Sequence, residues 1–241
     1  MPLFSHFIAL SALLAYSLGF CNAVSAFDAE HLARFERLNM CEDCDLSFAD
    51  LSRADLVGAN LSRSNLNGAN LSGVNLSWAV LKQTSLRNAV LTRANLTEII
   101  LSQADLTEAK LIRVDLSGSN LGNSIFYKAD LRHSKLVFVN LRSSFLNKAI
   151  LKDADLTESN LAMAKLRDSD LSGAVLNGVT LELADLWKAN LEGVNLSRAD
   201  LTGANLYGAN LYGANLRGVD MKWAHFCKTT LRGEIDNRDC Y

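Results

Sequence analysis

The sequence predicts an all-β solenoid, and a strict five-residue period is the main observation behind this prediction. Every fifth residue from Leu46 to Leu231 is large and apolar, which gives 38 consecutive positions, and 35 of them are Leu. The residue two places earlier is Ala in 21 of these repeats. The residue immediately before the apolar one is Asp or Asn at 24 of the 38 positions. No insertion or deletion shifts the period between these two residues.

A period of five is incompatible with both ordinary secondary structures. In an α-helix the Leu positions would rotate by roughly 500° per repeat and spiral around the whole surface. In a flat strand they would alternate between the two faces, because five is odd. The chain must therefore turn a corner once per repeat, so that each Leu and the small residue two places before it both point inward. Four corners give a square coil of about 20 residues, and coils stacked at roughly 4.8 Å give a rod about 45 Å long.

These repeats resemble the pentapeptide-repeat family, whose consensus is A-(D/N)-L-x-x. Residues 59–63, Ala-Asn-Leu-Ser-Arg, and residues 204–208, Ala-Asn-Leu-Tyr-Gly, match it directly. The resemblance extends over residues 44–233 and implies the fold of that family, a right-handed quadrilateral β-helix. A solenoid of this kind needs capped ends, because each coil contacts only its neighbours.

The corners account for the other constrained residues. Twelve of the 14 glycines lie two residues after the repeat Leu, as Gly58 and Gly208 do, and a type II turn requires a positive φ at that position. Asp and Asn side chains can accept a hydrogen bond from the backbone two residues later, which suits a corner. We therefore interpret the many Asp and Asn residues as structural. The only proline, Pro2, lies outside the repeats, as expected where backbone N–H groups pair the coils.

The first 26 residues differ from the rest and are interpreted as a signal peptide. The segment from Phe7 to Phe20 is largely apolar, and no Lys, Arg, Asp or Glu precedes Asp28. Val24 and Ala26 are small residues at the −3 and −1 positions of a cleavage site after Ala26. The alternatives are an uncleaved anchor and a lipoprotein site at Cys21. Cleavage predicts an exported protein in a periplasm, a lumen or the medium, with no membrane contact afterwards.

The two ends of the rod are predicted to be caps. Residues 27–43 form the predicted N-terminal cap. Within it, the segment from Asp28 to Met40 is predicted to be a short helix with Leu32, Phe35 and Leu38 in an apolar stripe. Residues 234–241 form a polar C-terminal cap tail. Because both ends are capped and no dimerisation helix is visible, a monomer is expected.

Four cysteines remain after cleavage, and an even number in an exported chain indicates disulfides. A disulfide requires Cα atoms within roughly 7 Å, so no bond can join opposite ends of the rod. The predicted pairs are Cys41–Cys44 and Cys227–Cys240. Both ends also resemble those of exported bacterial members of the family. The alternatives for Cys41-Glu-Asp-Cys44 are a redox motif, which would need a βαβ setting, and a zinc site, which would need two further ligands.

The sequence offers no active site, so no enzyme, cofactor or metal is predicted. His31 lies in the cap, and His133 and His225 lie in repeats several coils apart. No Gly-rich loop follows a strand and opens a helix, as a phosphate-binding loop would. The formal net charge is −2, whereas nucleic-acid binding requires an excess of basic residues.

One column of outward residues is a candidate interaction surface. Residues 20 apart stack on successive coils, and the position after the inward residue then runs Tyr127, Asn147, Arg167, Trp187 and Tyr207. Ile125 and Phe145 stack beside it at a position that usually holds Asp or Asn. Tyr, Trp and Arg dominate binding hot spots, but aromatic ladders also stabilise stacked strands. We call Ile125, Tyr127, Phe145, Arg167, Trp187 and Tyr207 the aromatic stripe.

The function predicted from the sequence is a non-catalytic, exported structural or protein-interaction module with an unknown partner. One alternative is a DNA-mimicking topoisomerase inhibitor, an activity of some cytoplasmic members of the family. Export and the nearly neutral charge are against it. The other alternative is an enzyme, which would need a polar pocket that the unbroken repeat does not provide.

The mature chain is predicted to begin at Phe27, because small residues flank the cleavage site after Ala26. Intact-mass analysis of the exported protein should give the mass of residues 27–241. Retention of residues 1–26 would contradict the signal peptide and the oxidising compartment inferred from it.

Overall fold

A computed structural model describes residues 28–231 and 234–240. The predicted signal peptide, 1–26, and the predicted first mature residue, Phe27, lie outside the described residues. The described elements are helix α1 (Ala29–Leu38) and strands β1 (Asn210–Leu211), β2 (Thr229–Leu231) and β3 (Glu234–Asp236). The chain between α1 and β2 forms the coils.

Helix α1 begins and ends at polar capping residues. Asp28 is the N-cap, and its side chain accepts hydrogen bonds from the N–H groups of Glu30 and His31, two of the donors that a helix start leaves unpaired. The helix ends at Leu38, two residues before the predicted end at Met40, and Asn39 caps it in the left-handed conformation with a φ of 51°. Phe35 is 2% exposed and joins the hydrophobic core.

The predicted apolar stripe of this helix is only partly correct. Leu38 is 48% exposed, because it is the last helical residue and precedes the left-handed Asn39 that redirects the chain. The side chain of Leu32, the third predicted member, lies outside the described set. The backbone N–H of Asp28 donates to the carbonyl of Asp45 at 3.1 Å, which holds the start of the helix against the first coil.

Parallel pairing between coils follows the predicted 20-residue spacing throughout. Isolated parallel bridges join Met40 to Asn60 and then every fifth residue to its counterpart 20 residues later, up to Asn205 with His225. The repeat Leu donates its N–H to the coil above, as in Leu46 to the carbonyl of Asn65 at 2.8 Å. The coil therefore has four short sides, each consisting of a single bridged position between two corners.

Each corner is a turn closed by a backbone hydrogen bond. The N–H three residues after the repeat Leu donates back to its carbonyl, as Ala54 does to Leu51 at 3.2 Å. The residue two after the Leu has a positive φ, for example 60° at Arg53 and 67° at Gly58, as the predicted type II corner requires. Glycine is thus not obligatory at the corner. At Gly68, however, a Cβ would lie 2.6 Å from the ring of Phe48, so the small residue also makes room for its neighbour.

The Asp and Asn residues stabilise both the corner and the stack. Within a repeat, the Asn60 Oδ1 accepts from the N–H of Ser62 at 3.1 Å, which confirms the structural interpretation. Between coils, the amide Nδ2 of Asn95 donates to Asn75, and that of Asn75 donates to Asp55, at 3.0 and 3.1 Å. These amide ladders lie outside the core and parallel to the rod axis.

The core is a continuous column of inward Leu side chains. Among the 38 repeat positions, all are buried except Leu216, Met221 and Leu231, which are half-buried near the C-terminal end. The Ala positions are buried beside them except Ala214, which is half-buried, and Phe126 is the largest fully buried side chain in the described part of the chain. Buried hydroxyls in the same column are satisfied, since Ser119 and Ser124 donate to the carbonyls of Leu96 and Leu101.

The described residues of the C-terminal tail cover the last coil only in part. Strand β2 pairs in parallel with β1 and antiparallel with β3, so the tail folds back over one side of the last coil. Leu216, Val219 and Met221 pack against the core but remain half-buried, and Trp223 is strongly exposed. The expectation of a monomer assumed two fully capped ends, and it stays a prediction.

Both predicted disulfides are present. Cys41 and Cys44 are bonded with a Cα–Cα distance of 5.5 Å, and Cys227 and Cys240 with a distance of 4.8 Å. The first bond joins the end of the N-terminal cap to the first repeat. The second ties the polar tail to the last coils, where the core is least covered.

Inward Leu residues should be far more sensitive to truncation than their outward neighbours. Leu151 is fully buried, so Leu151→Ala is expected to lower the free energy of unfolding by about 2–5 kcal/mol through lost contacts and a cavity. Lys152→Ala on the surface should change it by less than about 0.5 kcal/mol. Urea unfolding of both variants measures the difference, and equal effects would contradict the inward assignment.

Removal of the C-terminal disulfide should loosen the last coils first. The bond spans 13 residues, so Cys227→Ala with Cys240→Ala is expected to cost on the order of 3 kcal/mol through the greater freedom of the unfolded chain. Hydrogen exchange should rise in residues 206–231 before it rises in residues 46–150. Uniform acceleration along the rod would contradict this local role.

Candidate functional site

The aromatic stripe lies on one side of the rod, here called the Leu46 face. On this face, every twentieth residue from Leu46 to Phe226 points inward. Three residues of each repeat point outward: the one before the inward residue, the one after it, and the second one after it. The third of these is the positive-φ corner residue. Because the pairing register is 20 throughout, each outward position forms a straight column along the rod.

The apolar part of the stripe is a stacked pair. Ile125 and Phe145 are bridged to each other, and they are 37% and 45% exposed. Asp105 precedes them in the column and Lys165 follows, so the exposed apolar segment is two coils long. The structure therefore brings these two residues together as predicted, but in a short segment with a charged residue at either end.

The aromatic part is a second stacked pair, two coils further along. The rings of Trp187 and Tyr207 have centroids 6.3 Å apart and an interplanar angle of 12°. Lys188 Nζ lies 4.2 Å from the centroid of the Trp187 ring, and Lys228 Nζ lies 5.5 Å from that of Tyr207. Ammonium groups are attracted to ring faces in this way. Both rings are half-buried by these contacts.

The two parts are separated rather than continuous. Among residues 28–231 and 234–240, Trp187 and Tyr207 are the one stacked aromatic pair, and Tyr127 stacks with no other ring. Between the two parts, Asn147 accepts from the N–H of Arg167 at 3.0 Å. The stripe thus consists of Ile125, Tyr127 and Phe145 at one end and Arg167, Trp187 and Tyr207 at the other.

Asp185 organises the second part and was missed by the sequence analysis. The residue is only 6% exposed, and its carboxylate accepts from Arg167 Nε at 2.5 Å and from Asn205 Nδ2 at 3.1 Å. The backbone N–H of Trp187 also donates to it, at 3.4 Å. The arginine is therefore held against the face beside the tryptophan. Counting by 20 places Asp185 on the Leu46 face, two residues before Trp187, but the sequence does not indicate that Asp185 is buried.

The corner lysines were also missed. Lys128 lies 5.4 Å from the Tyr127 ring and donates to Glu108 at 3.2 Å, and this hydrogen bond raises the pKa of Lys128 above its ordinary value. Lys148 and Lys188 follow in the same column. Reading the corner column at intervals of 20 would have found them, since the repeat fixes which residues stack.

The remaining candidates from the sequence are not brought together into a reactive site. The Nδ1 atom of His133 lies 3.7 Å from Asp153, and His31 Nδ1 accepts from the N–H of Asp45 in the cap. Within residues 28–231 and 234–240, no group of three or more His, Cys, Asp or Glu residues is placed to hold a metal ion. No described helix is both long and apolar enough to cross a membrane.

Two open depressions occur elsewhere on the rod. One, of about 650 Å³, lies at the C-terminal end against Leu216, Met221 and Ile235. The other, of about 350 Å³, lies between Arg63, Lys82 and Gln103. Neither contains a residue of the aromatic stripe.

Comparison with known proteins identifies the repeat. The family model described as pentapeptide repeats matches overlapping segments that run from residue 44 to residue 233. HetL, a pentapeptide repeat protein involved in heterocyst differentiation regulation from the cyanobacterium Nostoc sp. strain PCC 7120, is 29% identical with a TM-score of 0.80, over 87% of this chain and 99% of that chain. Together these similarities confirm the predicted right-handed quadrilateral β-helix.

Two further solved structures align with this chain at lower TM-scores. QnrB1, a plasmid-mediated fluoroquinolone resistance protein, is 20% identical over 77% of this chain and 87% of that chain, with a TM-score of 0.38. A pentapeptide repeat protein from the Arabidopsis thaliana thylakoid lumen is 32% identical over 43% of this chain and 65% of that chain, with a TM-score of 0.21. Both TM-scores are too low to support an inference about this chain. No curated protein matches it significantly.

Proposed function

The chain belongs to the pentapeptide-repeat family, and we propose that it is a non-catalytic, exported module that binds a protein partner. The partner-binding surface in this proposal is the aromatic stripe on the Leu46 face. The observation that supports it most is the arrangement of Arg167, Trp187 and Tyr207. They are the residue types that dominate protein interfaces, and Asp185, Lys188 and Lys228 hold them in place.

The uniform repeat supports a non-catalytic role. Catalysis needs converging groups in a shielded site, whereas successive coils present their outward residues in parallel columns. The unbroken 20-residue register leaves no inserted loop between residues 40 and 225 on which such a site could be built. A rigid surface of fixed columns is suited to recognition, because little side-chain and backbone entropy is lost when a partner binds.

The disulfides support export. Both bonds are local, and they close the two ends of the solenoid. Disulfides persist in oxidising compartments and are rare in the reducing cytosol. Together with the apolar segment before Asp28, they favour a periplasm, a lumen or the medium.

A DNA-mimicking role is less compatible with the charge on this surface. Imitation of DNA needs an acidic face, because the phosphate backbone carries about one negative charge per 1.7 Å of duplex axis. The formal net charge of the chain is only −2, and the stripe has Lys128, Lys165 and Lys188 beside it. A supercoiling assay with the mature protein tests this alternative, and inhibition of a topoisomerase would favour it over the proposal.

Loss of the aromatic pair should abolish binding with little loss of stability. Trp187→Ala with Tyr207→Ala removes a stacked pair that is expected to contribute about 0.5–1.5 kcal/mol beyond its buried area. Recovery of the partner by affinity capture from the native compartment should fall to background. The melting temperature of the variant should fall by only a few degrees.

Trp78→Ala with Phe138→Ala is the matched control. These two residues are 64% and 67% exposed on a different face, so the variant also removes two exposed aromatic rings. It should retain partner recovery. The proposal would be contradicted if Trp187→Ala with Tyr207→Ala lost much stability but still recovered the partner. That result would show that the aromatic pair serves only the scaffold.

A further inference from the structure

The C-terminal half of the Leu46 face carries an unusual excess of positive charge. Its outward residues between Ile125 and Lys228 include six cations and two acids. The cations, here called the cationic patch, are Lys128, Lys148, Lys165, Arg167, Lys188 and Lys228. The acids are Asp168 and Asp185. The N-terminal half of the same face has the opposite balance, with three acids, Asp45, Asp105 and Glu108, and one cation, Arg87.

Internal ion pairs neutralise only part of this patch. Arg167 is paired with the buried Asp185 at 2.5 Å, and Lys128 with Glu108 at 3.2 Å. In the part of the chain that the structure describes, Lys148, Lys165, Lys188 and Lys228 have no carboxylate in an ion pair, and all four are exposed. These four ammonium groups are available to an external anion.

The lysines lie on both sides of the exposed apolar and aromatic groups. Lys165 follows Phe145 in the column of residues that precede the inward residue. Lys148 and Lys188 lie in the corner column, on the other side of the face. Exposed Ile125 and Phe145 therefore lie among cations. A ligand that covers this area should bring both anionic and apolar groups.

The ring contacts favour a polypeptide over a sugar polymer. A pyranose ring binds by stacking on a free aromatic face, but one face of Trp187 is stacked with Tyr207, and Lys188 lies over the ring. Lys228 lies over Tyr207 in the same way. Both residues are half-buried, and the surface that they still expose is suited to hydrogen bonds and side-chain packing in a protein interface.

We infer that the cationic patch binds an acidic polypeptide segment that carries aromatic or aliphatic residues between its carboxylates. This inference rests on the proposed function and specifies the chemistry of its partner. Carboxylates would pair with Lys148, Lys165, Lys188 and Lys228, and apolar side chains would cover Ile125 and Phe145. Complementary charge of this kind sets specificity and speeds association.

A fluorescently labelled copolymer of glutamate and tyrosine is a suitable probe. Anisotropy titration at about 50 mM NaCl should show saturable binding that weakens as salt is raised, because salt screens exposed charges. Lys148→Glu with Lys165→Glu should raise the dissociation constant by at least about tenfold. Lys82→Glu with Lys110→Glu changes the net charge equally on two other faces, and it should alter the constant by less than about twofold.

Chemical footprinting provides an independent readout. Acetylation of Lys148, Lys165 and Lys188, measured by mass spectrometry, should fall when the copolymer is bound, while that of Lys82, Lys110 and Lys152 should not. Equal protection of all lysines, equal loss of affinity in the two variants, or an absence of binding would each overturn the inference.

Two anionic competitors separate the proposed partner from other polyanions. Polygalacturonate represents acidic sugars, and vesicles of phosphatidylcholine with phosphatidylglycerol represent an anionic membrane. Tighter binding of either one, with the same sensitivity to Lys148→Glu and Lys165→Glu, would assign the patch to that ligand and refute a polypeptide. If the copolymer does not bind but a captured partner still requires Trp187 and Tyr207, the acidic chemistry fails while the proposed function stands.

Discussion

The structure depends on parallel pairing between residues 20 apart. The repeat Leu donates its N–H to the next coil, and the residue before it is bridged to its counterpart there. Since an unpaired buried backbone group costs free energy comparable to a lost hydrogen bond, the register cannot slip at one coil without breaking the bonds of its neighbours. This single constraint fixes the inward Leu column, the corners and every outward column at the same time.

The fold could be predicted from the sequence because its rule is local and is repeated 38 times. The Leu and Ala positions, the corners and both disulfides follow from the period and from the distance between the two ends. The errors occur where the repeat stops. Leu38 was expected to be packed but ends its helix exposed, and residues 234–240 of the C-terminal tail leave Leu216 and Met221 half-buried. At the termini no neighbouring coil imposes the register, and the packing depends on tertiary contacts that no period indicates.

The stripe could be predicted as a set of columns, but not as a set of contacts. Counting by 20 correctly placed Trp187 beside Tyr207 and Ile125 beside Phe145. It did not show that Asp185 is buried under Arg167, or that Lys188 and Lys228 lie over the rings. These features depend on side-chain rotamers, which a column does not specify. The division of the stripe at Asn147 also depends on a side-chain rotamer, because the Asn147 side chain accepts a hydrogen bond from the backbone N–H of Arg167 in the next coil.

The pairing constraint also explains why charge is informative on this rod. In a globular domain, charges close in space are scattered along the chain, but here each column keeps its residues roughly 4.8 Å apart. Like charges in adjacent coils therefore repel each other, and neutralising neighbours such as Glu108 for Lys128 reduce that cost. Lys148 follows Lys128 in the corner column and makes no ion pair with the next residue of that column, Asp168, in the described part of the chain. Repulsion between lysines that make no ion pair opposes folding, and a bound carboxylate would relieve it. The unpaired lysines of this face are therefore consistent with the proposed binding of an external anion.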